Sequence, residues 1–548
     1  MRKLGALVIG VFLALFLVVP LLSLFLVTFT GEPVNLLGGH LSAPSWSLQY
    51  YIEFFQLPRY YKGLVNSLLF SAAVTLASCL LGVFVALVLG RAAVPARGWL
   101  RALALVPLAL PSYLMAVSFI FLFGKSGLVT HLTGIHLDPF TPAGTLLVQA
   151  FSFFPVVMLT TSASLEQLDP SVEEAAGVLG GDTTLVYWKV VLPLLTPGVL
   201  AGAFLTFIRS FGDFAAPMLL MPPSIKLIVL EAYRDMSGNT YWGGAATLST
   251  LMVVTVVAVM ALQRRYLERH KFETIGGRSA GAPRLYRNVW GCRVLLLLTL
   301  LLLAFPLVNV VVLVLLSLSA SWGSDQLWPS LTIDNYKTVL GSSLHFITNG
   351  LCLSLVAVLF CLILGTCVAW MLYRTKWWGK HLLDTLVLIP FILPGTAFAI
   401  ALVTAFNQPP LALHLTAQLV IIAYIVTRTP YAVRSVTASL SQVGSSMEEA
   451  SSTLGGTGSL TALKVLLPMV RPGLLAGGIM AFISCMTDVA ITLMVCPPSW
   501  YPVSVTIYLK TAESKYFLAA AYGIVLMVFI FGAYTAMLRL GKSRELAT

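Results

Sequence analysis

Twelve apolar stretches, most of them about 20 residues or longer, divide this chain of 548 residues. About 20 helical residues cross the roughly 30 Å hydrocarbon core of a bilayer. Backbone polar groups cannot stay unpaired in hydrocarbon, so each stretch must be helical. The stretches lie at about 4–28, 64–90, 100–123, 143–163, 198–221, 244–262, 294–318, 346–373, 382–405, 416–436, 472–496 and 518–540. The sequence therefore predicts an all-α integral membrane protein with about twelve transmembrane helices.

Composition supports the membrane as the solvent of this chain. Its mean hydropathy is +0.92 and only 10% of its residues are charged, whereas soluble domains carry about 25%. Met1-Arg2-Lys3 precedes an apolar run that is too long for the core of a signal peptide, about 7 to 15 residues. We interpret that run as the first spanning helix.

Basic residues cluster in alternate loops between the stretches. The 33 Lys and Arg outnumber the 21 Asp and Glu, but they form no single surface stripe, so no nucleic-acid partner is expected. The positive-inside rule places these clusters in the cytoplasm. The clusters contain Arg91, Arg97, Arg101, Arg374, Lys376, Lys380, Arg539, Lys542 and Arg544. The sequence predicts a multi-pass membrane protein with both termini cytoplasmic.

One polar segment occurs twice, between the fourth and fifth stretches of each half. Glu174 and Glu449 are equivalent, 449 − 174 = 275 positions apart, and 16 of the 30 residues from Glu173 to Gly202 are identical in the second copy. Ser171-x-x-Glu174 and Ser446-x-x-Glu449 fit a capping box at a helix start. The Gly-Gly pairs at 180–181 and 455–456 predict a sharp break before a second short helix.

The duplication extends beyond this insert and sets the domain organisation. The first half spans 1–263 with its insert at 164–197, the second spans 294–548 with its insert at 437–471, and a basic cytoplasmic linker, 264–293, joins them. Six spans per half give both copies the same orientation, as parallel repeats. Matching proline pairs, Pro107 with Pro111 and Pro390 with Pro394, predict kinked spans.

The insert resembles the EAA motif of ABC importer permeases. Glutamate, alanines, a glycine six residues on, and Leu-Pro at eighteen and nineteen residues fit both copies, with Ser451 departing from the usual alanine. In that family the motif is the coupling helix that docks on the ATPase. The resemblance assigns ATPase coupling to Glu173, Glu174, Ala175, Gly180, Leu192, Pro193, Glu448, Glu449, Ala450, Gly455, Leu467 and Pro468.

The resemblance also implies an architecture, partners and substrates. It implies a type I importer permease of the bacterial inner membrane that binds two ATPase copies at the cytoplasmic face and a periplasmic or lipid-anchored solute-binding protein outside. The partner ATPase would use ATP and Mg; the chain itself has no phosphate-binding loop and binds no cofactor. The fused halves look most similar to ferric-iron importer permeases, with relatives for 2-aminoethylphosphonate, thiamine and similar solutes, or another small anionic solute.

Few ionisable residues lie inside the stretches, and such residues are functional candidates by default. Arg209 and Asp213 are one helical turn apart and could pair, Asp488 is the repeat equivalent of Asp213, and Arg428 lies deep in the tenth stretch. Two readings stay open: these residues line the solute pathway, with the arginines attracting an anionic or anion-chelated solute, or they hold helices together.

Two other classes of function fit the sequence less well. An ion-gradient-driven secondary transporter would have two six-span halves but no reason for the duplicated insert. An intramembrane enzyme would need a catalytic dyad or metal cluster, and neither His nor Cys residues are spaced for one. We therefore expect a non-catalytic subunit with no metal site. The recurring Pro-Pro-Ser loops at 222–224 and 497–499 are candidates for contact with the binding protein.

Overall fold

The structure, a computed structural model, describes most of the chain. The described residues are 2–33, 36, 46–125, 127–134, 137–180, 182–238, 240–269, 286, 288–322, 328–375, 379–442 and 446–542. Residues 270–285 and 287 of the predicted linker, and the side chains of Ser446, Glu448 and Glu449, lie outside them.

The first half is helical throughout its described part. Its helices are α1 Arg2–Leu13, α2 Val19–Thr30, α3 Gln49–Gln56, α4 Pro58–Arg91, α5 Arg97–Ala109, α6 Ser112–Phe123, α7 Leu128–Thr133, α8 Pro142–Gln167, α9 Pro170–Val178, α10 Thr183–Val186, α11 Leu192–Gly212, α12 Ala215–Leu220, α13 Ile228–Ser237 and α14 Trp242–Arg269. Two π-helical turns, Ala14–Val18 and Tyr187–Val191, make α1 continuous with α2 and α10 continuous with α11.

The second half repeats this order. Its helices are α15 Val289–Ser317, α16 Asp334–Leu340, α17 Leu344–Arg374, α18 Lys380–Ile392, α19 Gly395–Phe406, α20 Ala417–Gln442, α21 Ser446–Thr453, α22 Gly458–Thr461, α23 Leu467–Met469, α24 Arg471–Met486, α25 Ala490–Val495, α26 Val503–Ala512 and α27 Tyr516–Lys542. A π-helical turn, Ala462–Leu466, a 3₁₀ turn, Pro498–Trp500, and a two-stranded antiparallel ribbon, β1 Ser319–Ser321 with β2 Ser330–Leu331, complete it.

The all-α membrane architecture is confirmed, but the count of straight spans is lower than twelve. Among the described residues, ten helices are long and apolar enough to cross a membrane, or eleven if α18 and α19, bent by 110°, form one span. The remaining predicted span, at 472–496, contains the shorter apolar helix α24, which ends at Met486.

Proline explains two of the interruptions. The residues before Pro111 and Pro394 are Leu110 (φ −102°, ψ 107°) and Leu393 (φ −72°, ψ 129°), both extended. Proline disfavours helical backbone in the residue before it and has no N–H to give. The helix therefore ends there, and the kinks predicted from the proline pairs are full breaks.

The described chain forms two compact units whose make-up differs from the repeats of the sequence. One unit, here the C-terminal unit, contains Met1–Gln56, Ala232–Thr250 and Asp334–Thr548. The other, the N-terminal unit, contains Leu57–Glu231 and Leu251–Ile333. Each unit is thus built mainly from one repeat and takes its first long helix from the other.

In the N-terminal unit, α15 packs against helices of the first repeat. The Phe305 ring lies 4.2 Å from that of Phe151 on α8, centroid to centroid. Ser118 Oγ on α6 donates a hydrogen bond to Asn309 Oδ1 at 2.8 Å, and both residues are buried. A buried polar pair between helices adds directional contact to the apolar packing.

In the C-terminal unit, the first span makes the corresponding contacts. The helix α2 packs along α19, and the rings of Phe16 and Phe406 lie 5.6 Å apart. The C-terminal part of α1 enters an apolar cluster with α17, α18 and α20 through Ile9 and Leu13, each 5% exposed. Neither repeat therefore buries its helices by itself.

Glycines permit close helix crossings at equivalent positions in both units. A Cβ added at Gly82 on α4 would lie 2.7 Å from Val157 Cβ on α8, and one added at Gly365 on α17 would lie 2.5 Å from Ala432 Cβ on α20. Small residues let membrane helices approach this closely, which increases van der Waals contact in the absence of a hydrophobic driving force. These crossings hold the centre of each unit.

We expect Gly82→Leu and Gly365→Leu to destabilise the folded permease, because the larger side chain cannot fit between the crossed backbones. Overpacking of this kind costs about 1–3 kcal/mol or more. Thermal unfolding of the purified protein in detergent would measure the loss as a lower Tm. Gly532→Leu is the control, since nothing lies within 4 Å of a Cβ at Gly532; an equal fall in Tm for all three variants would contradict this account of the crossings.

Candidate functional site

The first insert begins with α9, and its start differs from the predicted capping box. Asp169 is the N-cap residue, and its carboxylate Oδ1 accepts a hydrogen bond from the Ser171 backbone N–H at 2.9 Å. Pro170 occupies the first helical position, where its missing N–H is harmless. The capping box of Ser171 with Glu174 is therefore wrong, because Ser171 already lies inside the helix. Its counterpart in the second insert involves side chains outside the described residues.

The adjacent acids Glu173 and Glu174 point in different directions. Glu173 is 3% exposed and its Oε1 lies 2.8 Å from Nη2 of Arg91, the last residue of α4. Glu174 is exposed, and so is Ala175. The helix thus uses Glu173 for anchorage within the protein and leaves Glu174 exposed. The sequence pattern by itself indicates only a topological role for Arg91.

Glycine ends the first helix of each insert, as the sequence predicts. Gly180 has φ +87° and Gly455 has φ +79°, a left-handed conformation that residues with a Cβ adopt at a cost. The preceding N–H groups of Leu179 and Leu454 still close helical bonds, to Ala175 O and Ala450 O at 3.1 Å each. The chain therefore turns sharply just after one exposed leucine in both copies.

The two turns carry the most exposed apolar side chains of the inserts. Val178, Leu179 and Leu454 are each 88% exposed, and Trp188 is 69% exposed. Leu179 and Leu454 are repeat equivalents, 454 − 179 = 275 positions apart. We call the two turns, 178–180 and 453–455, the insert tips. They lie outside every span of the described chain, so lipid does not explain their exposure.

The second part of the first insert runs into the membrane without a stop. The sequence bounds the first insert at residue 197, but the helix does not end there: one span extends from Tyr187 to Gly212 and contains both Pro193 and Pro197. The wide π turn before Pro193, where the Leu192 N–H reaches Tyr187 O, makes room for a proline ring that would crowd a normal turn. In the second copy the helix does stop, at Val470 after Pro468. The remaining motif positions Leu192 and Pro468 are partly buried, whereas Pro193 and Leu467 are exposed.

The acidic residue of the fifth stretch lies at a break between α11 and α12. Asp213 accepts hydrogen bonds from Gln149 Nε2 on α8 at 2.9 Å and from the Ala215 N–H at 3.2 Å. Ser210 Oγ in turn donates to Gln149 Oε1 at 2.6 Å. Asp213 thus caps α12 and ties the break to α8.

Arg209 does not pair with Asp213. The helix ends at Gly212 and Asp213 is extended, so the four-residue spacing no longer places the two side chains on one face. Arg209 is exposed and makes no ion pair with any described residue.

The second half repeats the break between α24 and α25 with a different charge balance. Asp488 Oδ1 accepts from the N–H groups of Ile491 and Thr492 at 3.1 Å each. Its Oδ2 lies 2.6 Å from Arg428 Nη2, with side chains 8% and 16% exposed respectively. Tyr424 Oη lies 2.6 Å from Thr492 Oγ1. Arg428 therefore compensates a carboxylate inside the protein.

The polar residues of α8 and α20 at these breaks are repeat equivalents that the sequence reading missed. Gln149 and Tyr424 are 424 − 149 = 275 positions apart. A polar side chain at the same place in two apolar stretches was the available signal. The geometry of the break is conserved between the halves, and only the second half adds a cation to it.

The Pro-Pro-Ser loops are tied to the start of the long helices α4 and α17. Asn66 Nδ2 donates to Lys226 O at 3.0 Å, and Asn349 Nδ2 donates to Ser499 O at 3.2 Å. Burial raises the pKa of Tyr501 beside the second loop, so its phenol stays neutral. Trp500 is 40% exposed and remains available to a partner. In the described part of the chain, no three His, Cys, Asp or Glu residues are grouped to hold a metal ion.

The described chain is thus a multi-pass membrane protein of two similar helical halves, each with an insert tip outside the spans. A family model described as "Binding-protein-dependent transport system inner membrane component" matches residues 78–272 and again 361–544. The chain belongs to this family, with both halves in one polypeptide, and is the permease of an ABC importer. The family assignment excludes the secondary transporter.

Several relatives have been described. The chain is 23% identical over 477 residues to the ferric transport system permease protein FbpB of Actinobacillus pleuropneumoniae, covering 84% of this chain and 69% of that protein. It is 22% identical over 484 residues to the Fe(3+)-transport system permease protein FbpB 2 of Haemophilus influenzae, covering 87% and 90%. It is 32% identical over 198 residues to the molybdenum transport system permease protein ModB of Mycobacterium tuberculosis, covering 35% and 74%.

We expect Arg428→Gln to destabilise the protein strongly, because it leaves the Asp488 carboxylate buried without its cation. Removing one partner of a buried pair costs about 3–5 kcal/mol. The double variant Arg428→Gln with Asp488→Asn should lose clearly less than the sum of the single losses, measured as Tm in a double-mutant cycle.

Arg434→Gln is the matched control for this cycle. Arg434 Nη2 lies 3.3 Å from Asp384 Oδ1, and the two side chains are 53% and 41% exposed. An exposed pair contributes about 0–1 kcal/mol, so its loss should barely change Tm. Equal effects of the two arginine variants would contradict the role given to Arg428.

Proposed function

We propose that the two inserts are coupling helices, each of which binds one copy of a separate ATPase at the cytoplasmic face. The observation that carries the proposal is the pair of insert tips, which expose equivalent leucines, Leu179 and Leu454, at 88% each. Both termini then lie in the cytoplasm, with the basic loops. The ATPase supplies all ATP and Mg chemistry, and the permease is non-catalytic.

The tips have the chemistry of a docking element. Burial of a leucine in a partner groove contributes about 1.5–3 kcal/mol, and a few such anchors dominate most interfaces. Exposed Glu174 adds a carboxylate close to the first anchor. Left-handed Gly180 and Gly455 hold each leucine at the apex of a turn, so little ordering is required on binding.

Leu179→Asp and Leu454→Asp should each remove one ATPase from the complex, and the double variant should remove both. A carboxylate in an apolar groove must be desolvated without a partner, which costs several kcal/mol. Native mass spectrometry of the purified complex would count ATPase copies per permease.

Leu137→Asp provides the control, since Leu137 is 49% exposed and lies in the loop before α8, away from the inserts in sequence. Two ATPase copies should remain on this variant. Retention of both copies by the Leu179→Asp, Leu454→Asp double variant would refute the docking role of the tips.

We propose ferric iron as the transported substrate, delivered by a periplasmic or lipid-anchored solute-binding protein. Similarity to permeases named for ferric transport extends over 84% and 87% of this chain. The rival proposal, a small anionic solute such as 2-aminoethylphosphonate, or thiamine, has support from the molybdenum permease at 32% identity, which covers only 35% of the chain. The longer similarity favours iron.

Arg209 is the pathway candidate that the geometry favours. It is an exposed cation with no ion pair to any described residue, whereas the charge of Arg428 is balanced by Asp488. A free cation attracts a ferric ion that is chelated by anions, or a simple anion, more than a bare metal ion. Asp213 and Asp488 act at the helix breaks and shape the path rather than bind the solute.

The complex of permease, ATPase and binding protein is reconstituted in liposomes. It should transport radioactive ferric iron only when ATP is present on the side of the membrane that carries the ATPase. Arg209→Gln should lower the uptake rate several-fold without a change in assembly, because the attraction between cation and chelated solute is lost. Competition with molybdate, 2-aminoethylphosphonate and thiamine would identify the substrate if iron is not taken up. Unchanged uptake by the Arg209→Gln variant would remove Arg209 from the pathway.

A further inference from the structure

Arg91, the last residue of α4, contacts two other elements through its side chain. Its Nε donates to Glu173 Oε1 on α9 at 2.9 Å, and its Nη2 donates to Leu165 O near the end of α8 at 3.4 Å. The side chains of Arg91 and Glu173 are only 5% and 4% exposed. The guanidinium therefore joins the first insert to the ends of two membrane helices.

The backbone of the same residue contacts the segment that starts the second half. Arg91 O accepts a hydrogen bond from the Tyr286 N–H at 2.7 Å, and the Ala93 N–H donates to Tyr286 O at 2.9 Å. Two residues later Asn288 caps α15, its Oδ1 accepting from the Gly291 N–H at 3.0 Å. The segment that precedes α15 is thus hydrogen-bonded, through Tyr286, to the residue that anchors α9.

The burial of the Arg91 and Glu173 pair indicates a positional role. Desolvation makes a buried ion pair a weak source of stability unless its geometry is specific. A pair of the same residue types, Arg101 with Glu166, lies on the neighbouring helices α5 and α8 with side chains 48% and 65% exposed. The Arg101 and Glu166 pair is therefore exposed, whereas the Arg91 and Glu173 pair is buried at the base of the insert.

We propose that Arg91 and Glu173 are positioning residues that transmit movement of the first coupling helix to α4 and to the start of α15. This inference rests on the proposed docking of an ATPase on the insert tips. When the ATPase displaces α9, the ion pair moves the end of α4, and the backbone bonds to Tyr286 move α15 with it. One ATPase thereby acts on helices of both repeats within the N-terminal unit.

The test uses the full complex with ATPase and binding protein in liposomes, and measures uptake and ATP hydrolysis in the same vesicles. Glu173→Gln and Arg91→Gln leave the insert tips intact, so both ATPase copies should stay bound and hydrolysis should continue. Solute imported per ATP hydrolysed should fall on the order of tenfold, the scale of a typical coupling between sites. Arg91→Lys keeps the charge and should recover most of this ratio.

A second measurement follows the movement itself. Spin labels at Ser171 on α9 and Val294 on α15, both exposed, report one distance through the ATP cycle. That distance should stay constant in the wild type and vary in the Glu173→Gln variant, since the connection is lost. Variation of the distance in the wild type would overturn the proposal.

Arg101→Gln is the matched control and should leave the uptake ratio unchanged. An unchanged ratio in Glu173→Gln and Arg91→Gln would also overturn the inference. If neither variant yields an assembled complex, the pair is a determinant of folding and the positioning role is wrong. A wild-type complex that binds no ATPase or imports nothing would instead refute the proposed function, so the two failures are distinguishable.

Discussion

The constraint on which this structure depends is that hydrocarbon offers no hydrogen-bond partner to a polypeptide backbone. It makes each apolar stretch helical, and it makes every interruption of a helix require a replacement partner. Asp213 and Asp488 supply that replacement by capping α12 and α25 at equivalent breaks. The carboxylates must themselves be compensated, which explains the polar side chains of α8 and α20 that reach them. Each helix break is thus accompanied by a small polar network.

The two halves break a helix at equivalent positions and end the first helix of each insert at a left-handed glycine, but they differ in charge. Gln149 donates a neutral hydrogen bond to Asp213, whereas Arg428 donates a charged one to Asp488. Only the first half contains Arg209. A pair of equivalent inserts suits two identical partners, because a symmetric partner needs two similar surfaces. The interior has no such requirement. The two halves are different sequences within one polypeptide, so their interior side chains can differ in charge.

Much of this could be predicted from local patterns. Span positions, the duplicated insert and the left-handed glycines Gly180 and Gly455 follow from hydrophobicity, spacing and backbone sterics. Errors arose where one local rule competed with another. At the start of α9, Asp169 rather than Ser171 is the N-cap residue. A π-helical turn allows the helix to continue through Pro193. The end of α11 at Gly212 places Arg209 and Asp213 on different faces. Each error concerns the end of a helix, which neighbouring segments decide.

The sequence by itself determined that this chain is a duplicated helical membrane protein with two equivalent inserts, since helical period, apolar length and repeat spacing are properties of the chain. Only the tertiary structure decided that Glu173 is buried against Arg91 while Glu174 is exposed. It also decided that the charge of Arg428 is balanced by Asp488, and that each compact unit takes its first long helix from the other repeat. The physical reason is that burial and ion pairing depend on residues about 60 to 190 positions apart, whose approach no local pattern specifies.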